Sequence, residues 1–300
     1  MGARGMTYRD TVAKGARLGM QALVVRTKGE VKDIWHAEGF APGARFNQRS
    51  VAKAFTATAI ALAIEDGMLD MSMTIADLFP WHARQLNTHE QPAKLFDLLN
   101  MVAGFSEPRL MSTERARVAR DKTVMLDYAL AVPRPFRPGG HFVYTNVGHY
   151  LAAAALCARA GEPLDVYLKP RLFEPLGFGE VLWETDEAGN TFGASDLYIA
   201  TEDLAKFGEV YLQEGEFGGA KVLPKEWVDA CRRKQVDSDT DYGYSFGFWH
   251  GPRGTYYASG VEGQFCLIDP AREMVLAANG KAEEPFALLK ILYDTEKFFR

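Results

Sequence analysis

Between Ser50 and Glu65 the chain reads SVAKAFTATAIALAIE, apolar on nearly every face, with Gly67 just past its end. A stretch that is apolar all round predicts a buried helix with a glycine stop. Lys53, one turn inside, breaks the pattern. Upstream, QALVVRTKGEVKDIWHAEG (residues 21–39) places β-branched and aromatic residues on both sides of a Lys-Gly-Glu break, which predicts a hairpin. Downstream, IADLF, AKLFDLLNMVAG ending at Gly104, and STERARVARDKTVMLDYALAV ending at Pro133 read as helical pieces. PRPFRPGG (133–140) is a turn-rich loop, after which a short extended piece meets a helix near Asn146. PLDVYLKPRLFEPLGF and ATEDLAKFGEVYLQEG carry further helix signals. The pattern then changes: YGYSFGFWH, TYYASG, GQFCLIDP and EMVLAANG are strand-like runs separated by turn residues, and EPFALLKILYDTEKFF closes with a helix. Strands at both ends with helices between them predict an α+β fold in which the N-terminal hairpin joins a C-terminal antiparallel sheet, flanked by helices.

A chain of 300 residues with 47% hydrophobic composition can bury a large core. Its net charge of -5 argues against a nucleic-acid partner. The densest basic stretch, Glu114 to Lys122, mixes acids among its bases at helical spacing and reads as a solvated helix face. Cys157, Cys231 and Cys266 are far apart and odd in number, which suggests neither disulfides nor a zinc site. Six histidines form no metal-ligating motif, so no metal or organic cofactor is expected. No apolar run is long enough for a membrane span, and no signal peptide is visible. The expectation is a cytoplasmic protein acting on a small molecule, with no nucleic-acid or membrane partner. The opening MGARG has no pattern that separates a native start from an added one, and oligomeric state is not legible.

A three-residue offset on a helix puts Ser50 and Lys53 on one face, one turn apart. The helix N-terminus favours developing negative charge, and burial lowers a lysine pKa so that a neutral amine becomes available as a base. A serine beside such an amine is an activated nucleophile. The plainer reading is an N-cap serine and a lysine reaching to solvent, and about one S-x-x-K is expected by chance in a chain of this length.

Several segments taken together resemble the serine β-lactamase and penicillin-binding-protein superfamily, particularly class C β-lactamases and related esterases and D-aminopeptidases. RSVAKAFTATAIALAIEDGMLD is similar to its nucleophile helix, KLFDLLNMVAGF to a following helical landmark, and FRPGGHFVYTNVGHYLAAAAL to its Y-x-N segment. LFEPLGF and ATEDLAKFGEVYLQEGEFGGAKVLPKEWV match further landmarks in order. The resemblance implies a sheet domain (1–48 and 185–300), a mostly helical domain (49–184), and an active site in the cleft between them. It implies Ser50 as the acylated nucleophile, Lys53 as its proton partner, Tyr144 as a second general base, and Asn146 holding Lys53 or the substrate amide. The family's third motif, Lys-Thr-Gly or a His or Trp variant, falls on Ala258, Ser259 and Gly260, so its cation is missing. Its main-chain role survives, with the Val261 and Ser50 N–H groups as the implied oxyanion donors. GVEGQ (260–264) resembles the G-x-x-G-Q of esterase-like and 6-aminohexanoate-dimer-hydrolase-like members.

The implied function is a serine hydrolase acting through a Ser50 acyl-enzyme on a small ester, with little or no β-lactamase activity. Alternatives are an amidase, D-aminopeptidase or acyltransferase of the same fold, or a ligand sensor without turnover. Tyr242, Trp249 and Tyr257, with Tyr244 and Phe246, are candidates for lining an acyl pocket, and His141, His149 and His250 for a structural or rim role. GYSFG (243–247) fits a nucleophile elbow literally, yet Ser245 sits in an aromatic strand-like run rather than before a helix. DSDTDYG begins like a calcium loop but has Tyr242 and Phe248 where a glycine and a glutamate belong.

Overall fold

Strands Met20–Thr27 and Glu30–His36 form the expected hairpin, turning over Lys28 and Gly29 with φ of 51° and 79°. Paired positive-φ residues match the twist of the flanking strands. The structure is a computed structural model and describes residues 7–85, 92–122 and 124–299, so MGARG lies outside the described residues. Met20–Thr27 also pairs antiparallel with Met274–Gly280, with Met20 opposite Gly280. The sheet continues through Phe265–Asp269, Tyr256–Ser259, Phe248–His250 and Tyr244–Ser245, making seven antiparallel strands among the described residues. Helices flank it, as the α+β expectation requires.

Strand alternation divides the core between the two faces. Leu23, Val25, Tyr257, Phe265, Leu267 and Leu276 pack with residues of the two terminal helices, Tyr8–Arg17 and Pro285–Thr295. Val24, Tyr256, Ala258, Cys266, Val275 and Ala277 belong to a larger core that includes helices Thr201–Leu212, Ala52–Glu65 and Val147–Ala160. Ala52 through Ala63 are buried without exception, which is why the sequence there shows no polar face. Phe55 stacks on Phe207 at 3.9 Å between ring centres, tying this helix to the one that covers the sheet.

The structure departs from the pattern at identifiable backbone positions. The piece expected to run to Gly104 is helical only over Leu95–Leu99, because Met101 and Gly104 take φ of 63° and 90°. A Cβ on Gly104 would lie 2.2 Å from the Phe136 carbonyl, so this turn sits where two backbones cross. The long run before Pro133 divides into Ser112–Arg120 and Met125–Ala131. YGYSFGFWH is a tight hairpin rather than one strand: Phe246 and Gly247, with φ of 43° and 92°, turn Tyr244–Ser245 back onto Phe248–His250. The helix Tyr8–Arg17, closed by a Thr7/Asp10 capping box, has no counterpart among the expected elements.

The Gly247 turn braces the buried helix, since a Cβ there would lie 2.7 Å from the Ala54 nitrogen. Gly247→Ala combines a positive φ with a clash against backbone that has no room to move. Urea denaturation should show a loss of more than about 2 kcal/mol; an unchanged midpoint would remove this contact from the account.

Candidate active site

Strand Arg45–Asn47 pairs with Leu197–Ala200 and delivers the chain to the buried helix. Gln48 is buried, and its side-chain amide donates to the carbonyls of Phe46 and Ile199, both at 3.1 Å. Arg49 takes φ of 48°, costly for a side chain of its size. Two contacts hold it there: its N–H donates to Asn47 Oδ1 at 2.9 Å, and its Nε donates to Glu262 Oε2 at 2.9 Å. A short 3-10 turn, Arg49–Val51, then leads into Ala52–Glu65 and presents Ser50 at the helix N-terminus. Among the described residues the Ser50 N–H makes no hydrogen bond.

Lys53 is fully buried, and its Nζ lies 2.7 Å from Asn146 Oδ1, 2.9 Å from the Ala194 carbonyl and 3.1 Å from Ser50 Oγ. Asn146 is oriented by its own Nδ2, which donates to the Leu110 carbonyl at 2.8 Å and so turns Oδ1 toward the amine. The Ala194 carbonyl follows a turn at Gly193, whose oxygen accepts from Thr56 Oγ1 at 2.6 Å. Two of the three partners of Nζ are oxygens that only accept; Ser50 alone carries a proton it can give. A neutral amine satisfies all three by donating twice and accepting from Ser50. Burial makes that state accessible by bringing Lys53 from 10.5 down to about 7.

Tyr144 stands on the extended segment before Asn146, with Lys53 Nζ 4.9 Å from its ring centre and Trp249 stacked on it at 5.4 Å. Burial pushes its phenol up to about 12, against a hydrogen bond with Ser50 that pulls it down. Burial thus favours the neutral amine and the protonated phenol side by side. His149, one turn beyond Asn146, is buried with neither ring nitrogen hydrogen-bonded, and burial with the Lys53 charge holds it well below the usual histidine range. His141 is exposed, and His250 Nε2 meets Ser245 Oγ at 2.9 Å in the interior. Ser245 also donates to the Cys231 carbonyl at 2.6 Å and is completely buried, which leaves the GYSFG motif no access to substrate.

A cleft of about 590 Å³ opens at Ser50, lined by Asn146 and Val261, the Arg49–Glu262 pair, and Arg115 with Asp196. Ser259 ends the sheet strand, and Gly260 begins a turn in which its N–H donates to the Gln264 carbonyl at 2.8 Å. A Cβ on Gly260 would lie 2.4 Å from Gln264 Oε1 and 2.9 Å from Arg49 Cβ, so only glycine lets this turn approach the segment that carries Arg49 and Ser50. Val261 is exposed, and its N–H makes no hydrogen bond among the described residues. The arrangement thus brings together a hydroxyl, an amine able to take its proton, a phenol, and two free N–H groups bordering one cleft.

Of the aromatic residues expected on its wall, Tyr242, Trp249 and Tyr257 are not among those lining this cleft. Alternation along its strand turns Tyr257 to the opposite face of the sheet, Tyr242 is exposed, and Trp249 backs Tyr144 instead. Arg49, Arg115, Asp196, Glu262 and the Ala194 carbonyl escaped the sequence reading. Arg49 and Glu262 lie within the quoted RSVAKAF and GVEGQ stretches and were within reach, whereas a main-chain acceptor leaves no trace in a residue pattern.

The beta-lactamase family model matches residues 7–293, and the chain belongs to that family. A 6-aminohexanoate-dimer hydrolase of Paenarthrobacter ureafaciens is 22% identical over 88% of this chain and 73% of its own length. A Salmonella typhi protein provisionally named D-alanyl-D-alanine carboxypeptidase is 22% identical over 66% of this chain; the match spans 59% of that relative's length. Among solved structures, a Bacillus anthracis protein provisionally named 6-aminohexanoate-dimer hydrolase superposes with a TM-score of 0.82 at 21% identity, covering 95% of this chain and 81% of its own. A hydrolase with promiscuous acyltransferase activity gives 0.77 at 19% identity, covering 96% and 97%. These structural likenesses establish the beta-lactamase and transpeptidase-like fold.

The depressed Lys53 pKa has a consequence for stability. Between pH 7 and 10.5 the unfolded chain holds a proton on this amine that the folded chain does not, so stability gained from Lys53 rises with pH across that window. Urea unfolding between pH 8 and 9.5 should show Lys53→Met missing a slope of about 1.4 kcal/mol per pH unit that the parent has. Equal slopes would mean the amine is charged in the folded state.

Proposed function

We propose that the protein is a serine hydrolase that cleaves small uncharged esters through an acyl-enzyme on Ser50. The observation that carries this reading is the set of three Lys53 partners, in which only Ser50 can supply a proton to the amine. As Ser50 Oγ bonds to the substrate carbonyl carbon, its proton passes to Lys53 Nζ, and the carbonyl oxygen takes charge facing the N–H groups of Ser50 and Val261. One such donor typically contributes about 3 kcal/mol to the transition state. When the intermediate collapses, the bond to the alcohol oxygen breaks and that oxygen takes the Tyr144 proton. The Lys53 ammonium then returns a proton to the phenolate beside it. Water adds to the acyl carbon, gives its proton to the same amine, and Ser50 Oγ leaves with it.

The charges on the cleft wall, two arginines and three carboxylates, disfavour an anionic substrate. Arg49 is matched to Glu262, and Arg115 to Asp196 and Glu184. The Ala258 side chain is a methyl, wholly buried in the core, where the family motif carries a cation. This disfavours a β-lactam or peptide carboxylate. Small amides form a second reading, favoured by the similarity to 6-aminohexanoate-dimer hydrolase over most of the chain.

Nitrophenyl butyrate, matched nitroanilides and a penicillin, assayed in parallel, test the order of preference, with the ester expected first. Ser50→Ala should lower kcat/KM by at least about 10⁴-fold and abolish the acyl adduct seen by intact mass, and Lys53→Ala should cost about 10³-fold. Full activity in Ser50→Ala would overturn the mechanism, and an adduct that forms without turnover would point to a sensor. Because the neutral amine is the active form, kcat/KM should rise with pH through about 7 and then level. A profile flat from pH 6 to 8 would exclude Lys53 as the base.

A further inference from the structure

Helix Ser112–Arg120 forms one lip of the cleft, and Ser112, Arg115, Ala116 and Ala119 fall along the single face that lines it. On the far side of this lip lies a second cavity of about 410 Å³, walled in part by Met125, Thr185, Glu187 and Phe192. Arg115 and Ala119 line both spaces. Ala119 contributes only a methyl, so Arg115 is the bulky side chain that the two cavities share.

Arg115 is held more firmly than a surface arginine. Its guanidinium pairs with Asp196 and with Glu184, the latter at 3.3 Å, and lies 3.8 Å from the centre of the Phe192 ring. Asp196 is fixed in turn, accepting from Asn47 Nδ2 at 2.9 Å and from Ser195 Oγ at 2.7 Å. Ser195 follows Ala194, whose carbonyl accepts from Lys53, so the wall and the reacting amine are anchored by consecutive residues.

We propose that Arg115 is the stop that sets how long a linear aliphatic arm of the substrate the cleft accepts, with the second cavity as unused length behind it. The inference rests on the esterase reading given above. Without Arg115 the two spaces join, and apolar wall from Met125 and Phe192 becomes available to a longer chain. Each methylene that enters should gain about fourfold.

The test compares linear nitrophenyl esters, and acetate esters of linear alcohols, from four to ten carbons. Arg115→Ala should raise the ratio of kcat/KM for eight carbons over four by on the order of 100-fold on one of the two series. Arg115→Met, which keeps bulk and loses charge, should keep the parental profile. Arg115→Ala with Ala119→Trp, which refills the opening, should restore it. Arg115→Gln is shorter yet retains a donor for Asp196, and tests the same point should Arg115→Ala fail to fold. Dissociation constants of unreactive methyl ketones of the same lengths read the space without the chemistry. Inactivity toward every ester together with the expected shift in ketone binding would sink the esterase reading alone. Chain-length profiles and ketone affinities unchanged in folded Arg115→Ala and Arg115→Gln would overturn the stop.

Discussion

The site depends on one amine held away from water among oxygens that cannot give it a proton. Burying a charged ammonium without a matching anion is costly, and the protein meets that cost by making the neutral form accessible rather than by supplying a carboxylate. Much of the surrounding architecture serves this end. The Leu110 carbonyl orients Asn146, Thr56 fixes the turn that aims the Ala194 carbonyl, and the buried helix keeps the Lys53 side chain wholly out of solvent. Ser50 completes the set as the partner with a proton to lose.

The same isolation separates the two groups that titrate beside Ser50. Burial acts in opposite directions on an amine and a phenol, lowering one and raising the other, because it penalises whichever form is charged. One environment therefore favours a neutral amine and a protonated phenol side by side without any further charged residue. A second cation at residue 258 would disturb this balance, and the methyl there leaves Lys53 as the amine of the centre.

The parts legible in the sequence were those written as side-chain pattern. The buried helix, the hairpin, the meander and the Ser50–Lys53 pair leave recognisable spacings, whereas Tyr144 and Asn146 were reached through the resemblance to the family. What escaped was decided by backbone geometry and by distant contact. Phe246 and Met101 adopt positive φ because tertiary packing requires it, and nothing in their chemistry announces that choice. Tyr257 was misplaced because an aromatic strand was read without its phase: one residue along, Tyr256 and Ala258 face the helical core instead. The partners of Arg115 lie about 70 and 80 residues away in the chain, beyond any local window.

The pairing of Met20–Thr27 with Met274–Gly280 also bears on how the molecule comes into being. During synthesis the first hairpin must wait, with one edge unpaired, until the distant strand Met274–Gly280 has emerged. The turn carrying Val261 is likewise made long after Ser50 and Lys53. Contacts so distant in sequence favour slow closure of the sheet. A nascent chain on the ribosome therefore carries Ser50 and Lys53 early, while the cleft that Val261 helps to wall is completed only when the distant strands dock.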